Sequence, residues 1–96
     1  MRYLYTKRYL KRFDRFSLHD QLQILEADRQ IRTYYTIRQA PHGLGLKLLH
    51  AASGDKVLEA RASLSIRLLW AERGTQVAFL HVGSHDEVKR YLRSLR

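Results

Sequence analysis

The stretch Val57-Leu58-Glu59-Ala60-Arg61-Ala62-Ser63 alternates between apolar and polar side chains, with the polar ones on a single face of an extended chain. This period of two is typical of a β-strand with one buried face. Two further segments with strand character follow at 65–72 and 76–82, and Arg73-Gly74 between them predicts a tight hairpin. Residues 57–82 therefore predict the antiparallel core of a sheet.

A helical hairpin is predicted upstream of these strands. Residues 7–16 place apolar side chains at helical spacing, and a second helix is predicted from Ser17 to about Arg38. The apolar stripe expected to pack this second helix consists of Leu18, Leu22, Leu25, Ile31 and Tyr35 (or Tyr34). The opposite face of the first helix is strongly basic, with Lys7, Arg8, Lys11, Arg12 and Arg15.

The remaining segments complete an α+β order. Residues 1–6 predict a short strand, and residues 46–50 predict another, which is followed by a turn at 52–55. Ser84 and Glu87 have the spacing of a capping box for a last helix that ends near Leu95. The order β-α-α-β-β-β-β-α predicts one α+β domain over residues 1–96, with the N-terminal helical hairpin packed on one face of a mostly antiparallel sheet and a short C-terminal helix.

Charge and composition restrict the function classes. The 96 residues carry 18 Lys and Arg against nine Asp and Glu, a formal net charge of +9. A small basic domain usually meets a polyanion, so we expect a nucleic acid, the ribosome or an acidic protein as partner, the alternative being charge that serves solubility only. The absence of cysteine excludes disulfides, Cys-based zinc sites and thiol catalysis and favours a cytoplasmic location. No apolar run approaches ~18 residues, so no membrane span is expected, and early charge argues against a signal peptide.

Metal and cofactor motifs are missing from the sequence. No two histidines have the i, i+4 spacing of a zinc-binding helix, because His81 and His85 lie on either side of Gly83. Gly43-Leu44-Gly45 lacks the rest of a nucleotide-binding loop and predicts a turn after Pro41. We therefore expect neither a metal nor a cofactor.

Histidine and arginine remain as candidates for chemistry. His19 and His50 are expected at the surface, and His81 is expected to be a satisfied, partly buried strand residue. His85 follows a glycine in the first turn of the last helix, so we expect its ring at the rim of the sheet, close to the strand that carries Arg61. His and Arg on one surface are suited to phosphodiester cleavage, although strand arginines often just cover apolar surface with their stems.

Residues 59–70, Gly74 and residues 80–88 resemble the RelE/ParE toxin superfamily of type II toxin–antitoxin systems. In that superfamily a strand with an Arg, here Arg61, leads through an Arg-Leu-aromatic strand into a hairpin and then into a Val-Gly-x-His-x-Glu-like stretch, here residues 82–87. The segment Pro41–Leu44 also fits the layout. The resemblance covers nearly the whole chain, is specific around 59–88, and is only architectural before residue 40.

The resemblance implies two N-terminal helices against a curved antiparallel sheet and the activity of an mRNA interferase. Such a protein is an endoribonuclease that cuts mRNA, commonly on the ribosome and without a metal, and is neutralised by a cognate antitoxin, which we expect to be acidic. His85 matches a histidine of the YafQ-like branch and is assigned as the acid or base. Where that branch has a His and an Asp on the middle strand, this chain has Arg61 and Ser65, so part of that catalytic set is absent.

RelE-like members rely instead on strand cations, which Arg61, as the phosphate clamp, and Lys47 could supply. Arg67 is a further supporting cation that could lie on either face of the sheet, and His42 loosely matches another YafQ-type histidine. Two alternatives stay open. One is a ParE-like toxin that poisons gyrase and lacks catalytic residues, against which His85 and Arg61 argue; the other is a non-catalytic basic domain that binds RNA or protein.

Overall fold

Five strands and three helices follow one another in the order that the sequence predicts. The computed structural model describes residues 1–52 and 54–95. The elements in chain order are β1 (Arg2–Tyr5), α1 (Lys7–Asp14), α2 (Leu18–Ile37), β2 (Lys47–Ala52), β3 (Asp55–Arg61), β4 (Arg67–Arg73), β5 (Gln76–Gly83) and α3 (His85–Ser94). The turn predicted at 52–55 lies partly outside the described residues, because Ser53 is not among them. The α+β prediction is confirmed.

The five strands form one sheet in the order β1-β5-β4-β3-β2. Neighbouring strands are antiparallel except for β1, which runs parallel to β5 with Tyr5 opposite Phe79. The sheet is therefore mostly antiparallel. Strand β3 ends at Arg61 and β4 begins at Arg67, so Ser63 and Ser65, predicted as strand residues, lie in the connection, which a hydrogen bond from Ala62 N to Ile66 O closes.

Side-chain caps fix where the helices begin. The hydroxyl of Thr6 accepts from the backbone N of Tyr9 at the start of α1, and Ser17 caps α2 in the same way. The capping box predicted for α3 is present, with Ser84 and Glu87 bonded to each other's backbone. These bonds satisfy N–H groups that have no partner inside the helix. The start of α3 is thereby tied directly to the last residue of β5.

Helices α1 and α2 cover one face of the sheet, which we call the inner face. Its core centres on Trp70 and Phe79, both fully buried, and Trp70 donates from Nε1 to the Tyr35 hydroxyl at 2.8 Å. The rings of Tyr5 and Phe79 stack with centroids 4.8 Å apart. This core joins the first strand, both helices and the middle of the sheet into one unit.

The predicted packing stripe of α2 is wrong in its first half. Leu18, Leu22 and Leu25 are exposed, whereas Ile31 and Tyr35 are buried as predicted, together with Ile24, Ala27 and Asp28. At about 100° per residue, the exposed leucines lie about 100–160° around the helix from the buried stripe. Asp28 can occupy that stripe because its carboxylate accepts from the Tyr5 hydroxyl and from Arg32.

Helix α3 covers part of the opposite face, which we call the outer face. Val88 of α3, Leu69 of β4 and His81 of β5 are fully buried there. Leu80 stands at an irregularity between β4 and β5, is only half-buried, and lines a cavity of about 650 Å³ with Val57 and Leu95. The outer face is thus covered at one end only. No helix within residues 1–52 and 54–95 is long and apolar enough to cross a membrane.

Candidate functional site

The strand register brings two predicted site residues into one row at the end of the sheet. Arg61 of β3 lies opposite Arg67 of β4, which in turn lies opposite Gly83 of β5. Adjacent strands are about 4.8 Å apart, so this row is about 10 Å long. His85 begins α3 two residues beyond Gly83. The row and the start of α3 therefore form one edge of the molecule, which we call the cationic edge.

Lys47 and both arginines project from the same side of the sheet. Lys47 lies directly opposite Glu59, and Glu59 lies two residues before Arg61 on β3. Because side chains alternate along a strand and directly opposed residues share a face, Lys47, Arg61 and Arg67 all lie on the outer face. The question that the sequence left open for Arg67 is thereby answered.

Arg67 is bound to the protein itself. Its Nε lies 3.4 Å from Oε1 of the buried Glu59, and its Nη1 donates to the carbonyls of Ser63 and Leu64 at 3.2 and 3.1 Å. The pair neutralises a carboxylate that is only 7% exposed, and the two carbonyl bonds hold the connection between β3 and β4. The geometry thus gives Arg67 a structural anchoring role within the edge.

Arg61, by contrast, is exposed, and its side chain has no hydrogen bond or ion pair with the residues the structure describes. Its guanidinium lies beside Gly45, which has a φ of +65°. A Cβ at Gly45 would stand 2.4 Å from Arg61 Nε, so only glycine permits this placement. A guanidinium held against backbone, with its donors free, is suited to bidentate contact with an anion.

His42 and His85 both lie at the cationic edge but in different surroundings. The exposed His42 lines a cavity of about 390 Å³ with Arg61 and His19, between α2 and the loop that leads to β2. His85 is exposed as the first residue of α3, and its ring makes no hydrogen bond within the described part of the chain. Both imidazoles are therefore accessible to a ligand.

A second cluster on the outer face was missed by sequence reasoning. His81 was expected to be satisfied and partly buried, but it is 1% exposed and its Nε2 has no hydrogen-bond partner. Its Nδ1 accepts from Arg8 Nε at 3.1 Å, and its ring stacks on Tyr91 with centroids 5.1 Å apart. Burial, then the charges of Arg12 and Arg8, lower the pKa of His81 to about 4.

The only sequence signal for this cluster is the i, i+4 pair Arg8 and Arg12 on the basic face of α1. That these cations meet His81 depends on β1 pairing with β5, because α1 follows β1 directly. Arg12 donates to the Val82 carbonyl at 3.4 Å and pairs with Glu87 of α3. Arg12 thus links α1, β5 and α3.

Neither cluster brings together ligands for a metal. Within residues 1–52 and 54–95 no three His, Asp or Glu side chains come close enough to hold an ion. The chemistry available at the cationic edge is accordingly that of free guanidinium, ammonium and imidazole groups. These groups bind phosphate and transfer protons.

Comparison with known proteins finds no matching protein-family model and no matching curated protein. Solved structures do match. The archaeal RelE–RelB complex from Pyrococcus horikoshii is 15% identical with a TM-score of 0.69, over 86% of this chain and 92% of that chain. The Methanococcus jannaschii RelB–RelE complex is 15% identical with a TM-score of 0.64, over 92% and 96%.

The DinJ–YafQ complex of E. coli is also similar, at 16% identity and a TM-score of 0.65, over 92% of this chain and 98% of that chain. Each alignment covers almost the full length of the solved chain. Identity at this level carries information on the fold, and the element order and sheet order described above agree with it. The fold of this chain is therefore the one seen in these solved RelE and YafQ structures.

Proposed function

We propose that this chain is the toxin of a type II toxin–antitoxin system and acts in the cytoplasm as an endoribonuclease that cleaves mRNA and so inhibits translation. The observation that carries the proposal is the free guanidinium of Arg61, which lies beside Gly45 at the cationic edge from which the His85-bearing helix starts. An exposed Arg and an exposed His on one edge are the groups that phosphodiester cleavage needs.

The proposed reaction is an internal displacement on RNA. A base takes the proton of the 2′-hydroxyl, the 2′-oxygen bonds to the adjacent phosphorus, and the bond to the 5′-oxygen breaks as an acid protonates that oxygen. A 2′,3′-cyclic phosphate and a 5′-hydroxyl result, so atoms and protons balance without a metal. His85 moves one of these protons, and Arg61 stabilises the charge that grows on the phosphate oxygens.

Lys47 and His42, from β2 and the loop that leads to it, support this reaction. Lys47 is an exposed cation on the same face, opposite Glu59 and so two residues before Arg61 along β3. It adds positive potential that attracts the RNA backbone. His42 borders the same cavity as Arg61 and is the second candidate for proton transfer. Arg67, expected from the sequence to be a supporting cation, contributes indirectly by neutralising Glu59.

The proposed partner is a cognate antitoxin with acidic character. The solved relatives include toxins in complex with RelB and with DinJ. This chain carries a net charge of +9 and has a cavity of mixed character on the outer face, in which Val57, Leu80 and Leu95 lie beside charged residues such as Lys56 and Arg73. An acidic, partly disordered segment that folds over this surface would match both properties.

The test is primer extension on mRNA from cells that express the chain or its variants. His85→Ala is expected to slow cleavage by about 10²–10⁴-fold, the usual contribution of one acid or base. Arg61→Ala is expected to weaken both substrate binding and cleavage, and Arg61→Lys to restore only part, because an ammonium cannot form the bidentate contact. Purified protein is expected to cut ribosome-free RNA in EDTA; if only the ribosome-bound message is cut, chelation cannot be tested in this way.

Arg73→Ala is the matched control, because it removes the same charge from the far end of the sheet, where Arg73 pairs with Asp55. It should cleave at the parent rate. Growth arrest by folded protein without any cleavage would contradict the nuclease and favour a gyrase poison of the ParE type. Neither arrest nor cleavage would favour a non-catalytic binding domain.

A further inference from the structure

The groove between α1 and α3 contains a second concentration of charge, outside the cationic edge. It is a cavity of about 200 Å³ into which cations of both helices project. The residues that matter for its chemistry are Arg8, Arg12, His81, Glu87, Arg90 and Tyr91. Three guanidiniums thus meet a single carboxylate. Such an excess of positive charge in a confined space is a condition for binding an anion.

The carboxylate of Glu87 is already committed. One of its oxygens accepts from the backbone N of Ser84 as part of the capping box, and the other pairs with Arg12. Even so, burial and the charges of Arg15, Arg8 and Arg90 lower the pKa of Arg12. The cations therefore repel one another across the groove. An anion placed between them would relieve that repulsion.

His81 supplies an independent indication. An arginine can only donate, so Nδ1, which takes the bond from Arg8, is the acceptor, and the proton of the neutral ring lies on Nε2. That N–H is buried and has no acceptor within the described residues. Buried donors are almost always paired, with protein or with another molecule. The missing acceptor is a group that the protein itself does not provide.

Gly83 packs closely against this N–H and its polar neighbours. A Cβ at position 83 would lie 3.1 Å from His81 Nε2, 3.3 Å from an Arg12 nitrogen and 3.0 Å from Glu87 Oε1. Any larger residue would therefore fill the space at which an imidazole N–H, a guanidinium and a carboxylate converge. The glycine has a negative φ here, so backbone conformation does not require it. Its missing side chain allows these three groups to converge at the floor of the groove.

We infer that this groove is a phosphate-binding site, in which Arg8, Arg12 and Arg90 neutralise one phosphate group and the Nε2–H of His81 donates to one of its oxygens. The inference deepens the proposed function and rests on it in naming RNA as the source of the phosphate. Gly83 belongs to both the row of the cationic edge and the floor of the groove. An RNA strand cut at Arg61 would thus run along this row and place another of its phosphates in the groove.

The first experiment uses inorganic phosphate. Phosphate is titrated into the whole ¹⁵N-labelled chain while the side-chain nitrogens of His81 are followed by NMR. We expect a saturable shift of Nε2, and we expect it to be lost in Arg8→Gln and Arg90→Gln. Arg73→Gln, which removes the same charge at the far end of the sheet, should keep it. Titration of the parent without any change at Nε2 would overturn the inference.

The second experiment uses a short RNA with a 2′-deoxy sugar at the cleavage position, so that binding is measured without chemistry. Arg8→Gln and Arg90→Gln are each expected to weaken binding by about tenfold and to lower the slope of log affinity against log salt by about 1. Arg90 is exposed and its side chain has no hydrogen bond to the described residues, so Arg90→Gln tests the site even if Arg8→Gln folds poorly.

Other results separate this inference from the proposed function. RNA affinities of Arg8→Gln and Arg90→Gln equal to that of Arg73→Gln would overturn the RNA assignment. A loss of antitoxin affinity alone would instead identify an acidic side chain as the occupant. Phosphate and deoxy-RNA binding by a parent protein that cuts no RNA would refute the nuclease and leave the site standing. If the parent cuts RNA but Arg8→Gln and Arg90→Gln bind the deoxy-RNA as tightly as the parent does, the nuclease stands and the groove is refuted as an RNA site.

Discussion

The guanidinium of Arg61 lies against the backbone of Gly45, at a point where any Cβ would come within 2.4 Å of Arg61 Nε. In Gly45→Ala this guanidinium must move. Because displacement of a positioned group by about 1 Å can cost up to about 10²-fold in rate, we expect RNA cleavage to fall by about 10–10²-fold. Primer extension with the purified variant measures the loss.

Gly43→Ala is the control for this prediction. Gly43 has an equally left-handed φ of +86°, but a Cβ there would meet no atom within 4 Å. Both variants should lose about 1–3 kcal/mol of stability from backbone strain, and only Gly45→Ala should lose activity beyond that. Equal activities in the two variants would show that the position of Arg61 is unimportant for cleavage.

A structural feature can be predicted from the sequence when the residues that form it are close together in the chain. The capping box at Ser84 and the Arg73-Gly74 hairpin were predicted because each involves neighbours in the chain, and both are present. Helix α2 was assigned the wrong face in its first half because it has apolar residues on both sides, and periodicity does not say which side meets the sheet. Only the sheet register could decide that.

The same limit applies to the candidate site. Alternation along β3 was enough to place Arg61 on the outer face, because a strand has only two faces. The anchoring of Arg67 by Glu59 and the meeting of Arg8 with His81 join residues of different elements, the latter 73 positions apart. Such contacts follow from strand order and from the direct passage of β1 into α1, which a one-dimensional pattern does not contain.

Leu69 and Leu80 should respond differently to truncation, although both are leucines of strand-forming segments. Leu69 is fully buried under α3, so Leu69→Ala should lower the free energy of unfolding by about 2–5 kcal/mol. Leu80 is half-buried and borders the outer cavity, so Leu80→Ala should cost clearly less. Urea unfolding followed by circular dichroism measures both, and equal losses would contradict this placement of Leu80.

Association with the antitoxin should depend steeply on salt. A net charge of +9 steers an acidic partner over a distance that ions screen to ~8 Å at physiological ionic strength and ~3 Å at 1 M. We expect the association rate constant to fall at least about tenfold between low and high salt, with a much smaller change in the dissociation rate constant, as measured by stopped-flow fluorescence. A salt-independent association rate would contradict electrostatic steering.

Acid should destabilise the fold through His81. Its pKa is lowered to about 4 by burial and by Arg12 and Arg8, from an ordinary value of 6.5 in the unfolded chain. The unfolded state therefore binds more protons between pH 6.5 and 4, so the contribution of neutral His81 is fully present above pH 6.5 and is lost as the pH falls toward 4. At 1.36 kcal/mol per pKa unit, the full loss is roughly 3 kcal/mol.

His81→Asn isolates this contribution, because an amide oxygen can still accept from Arg8 while the side chain no longer titrates. Unfolding by urea is measured for the parent and for His81→Asn from pH 8 to pH 4. The carboxylates contribute equally to the pH dependence of unfolding in both proteins, so their contribution cancels when the two free energies of unfolding are subtracted. We expect the stability of the parent relative to His81→Asn to be constant above pH 7 and to fall steadily below pH 6.5. A stability difference between the two proteins that stays constant down to pH 4 would contradict this prediction. It would mean that His81 accepts a proton as readily in the folded state as in the unfolded chain, although its ring is buried beside two guanidiniums.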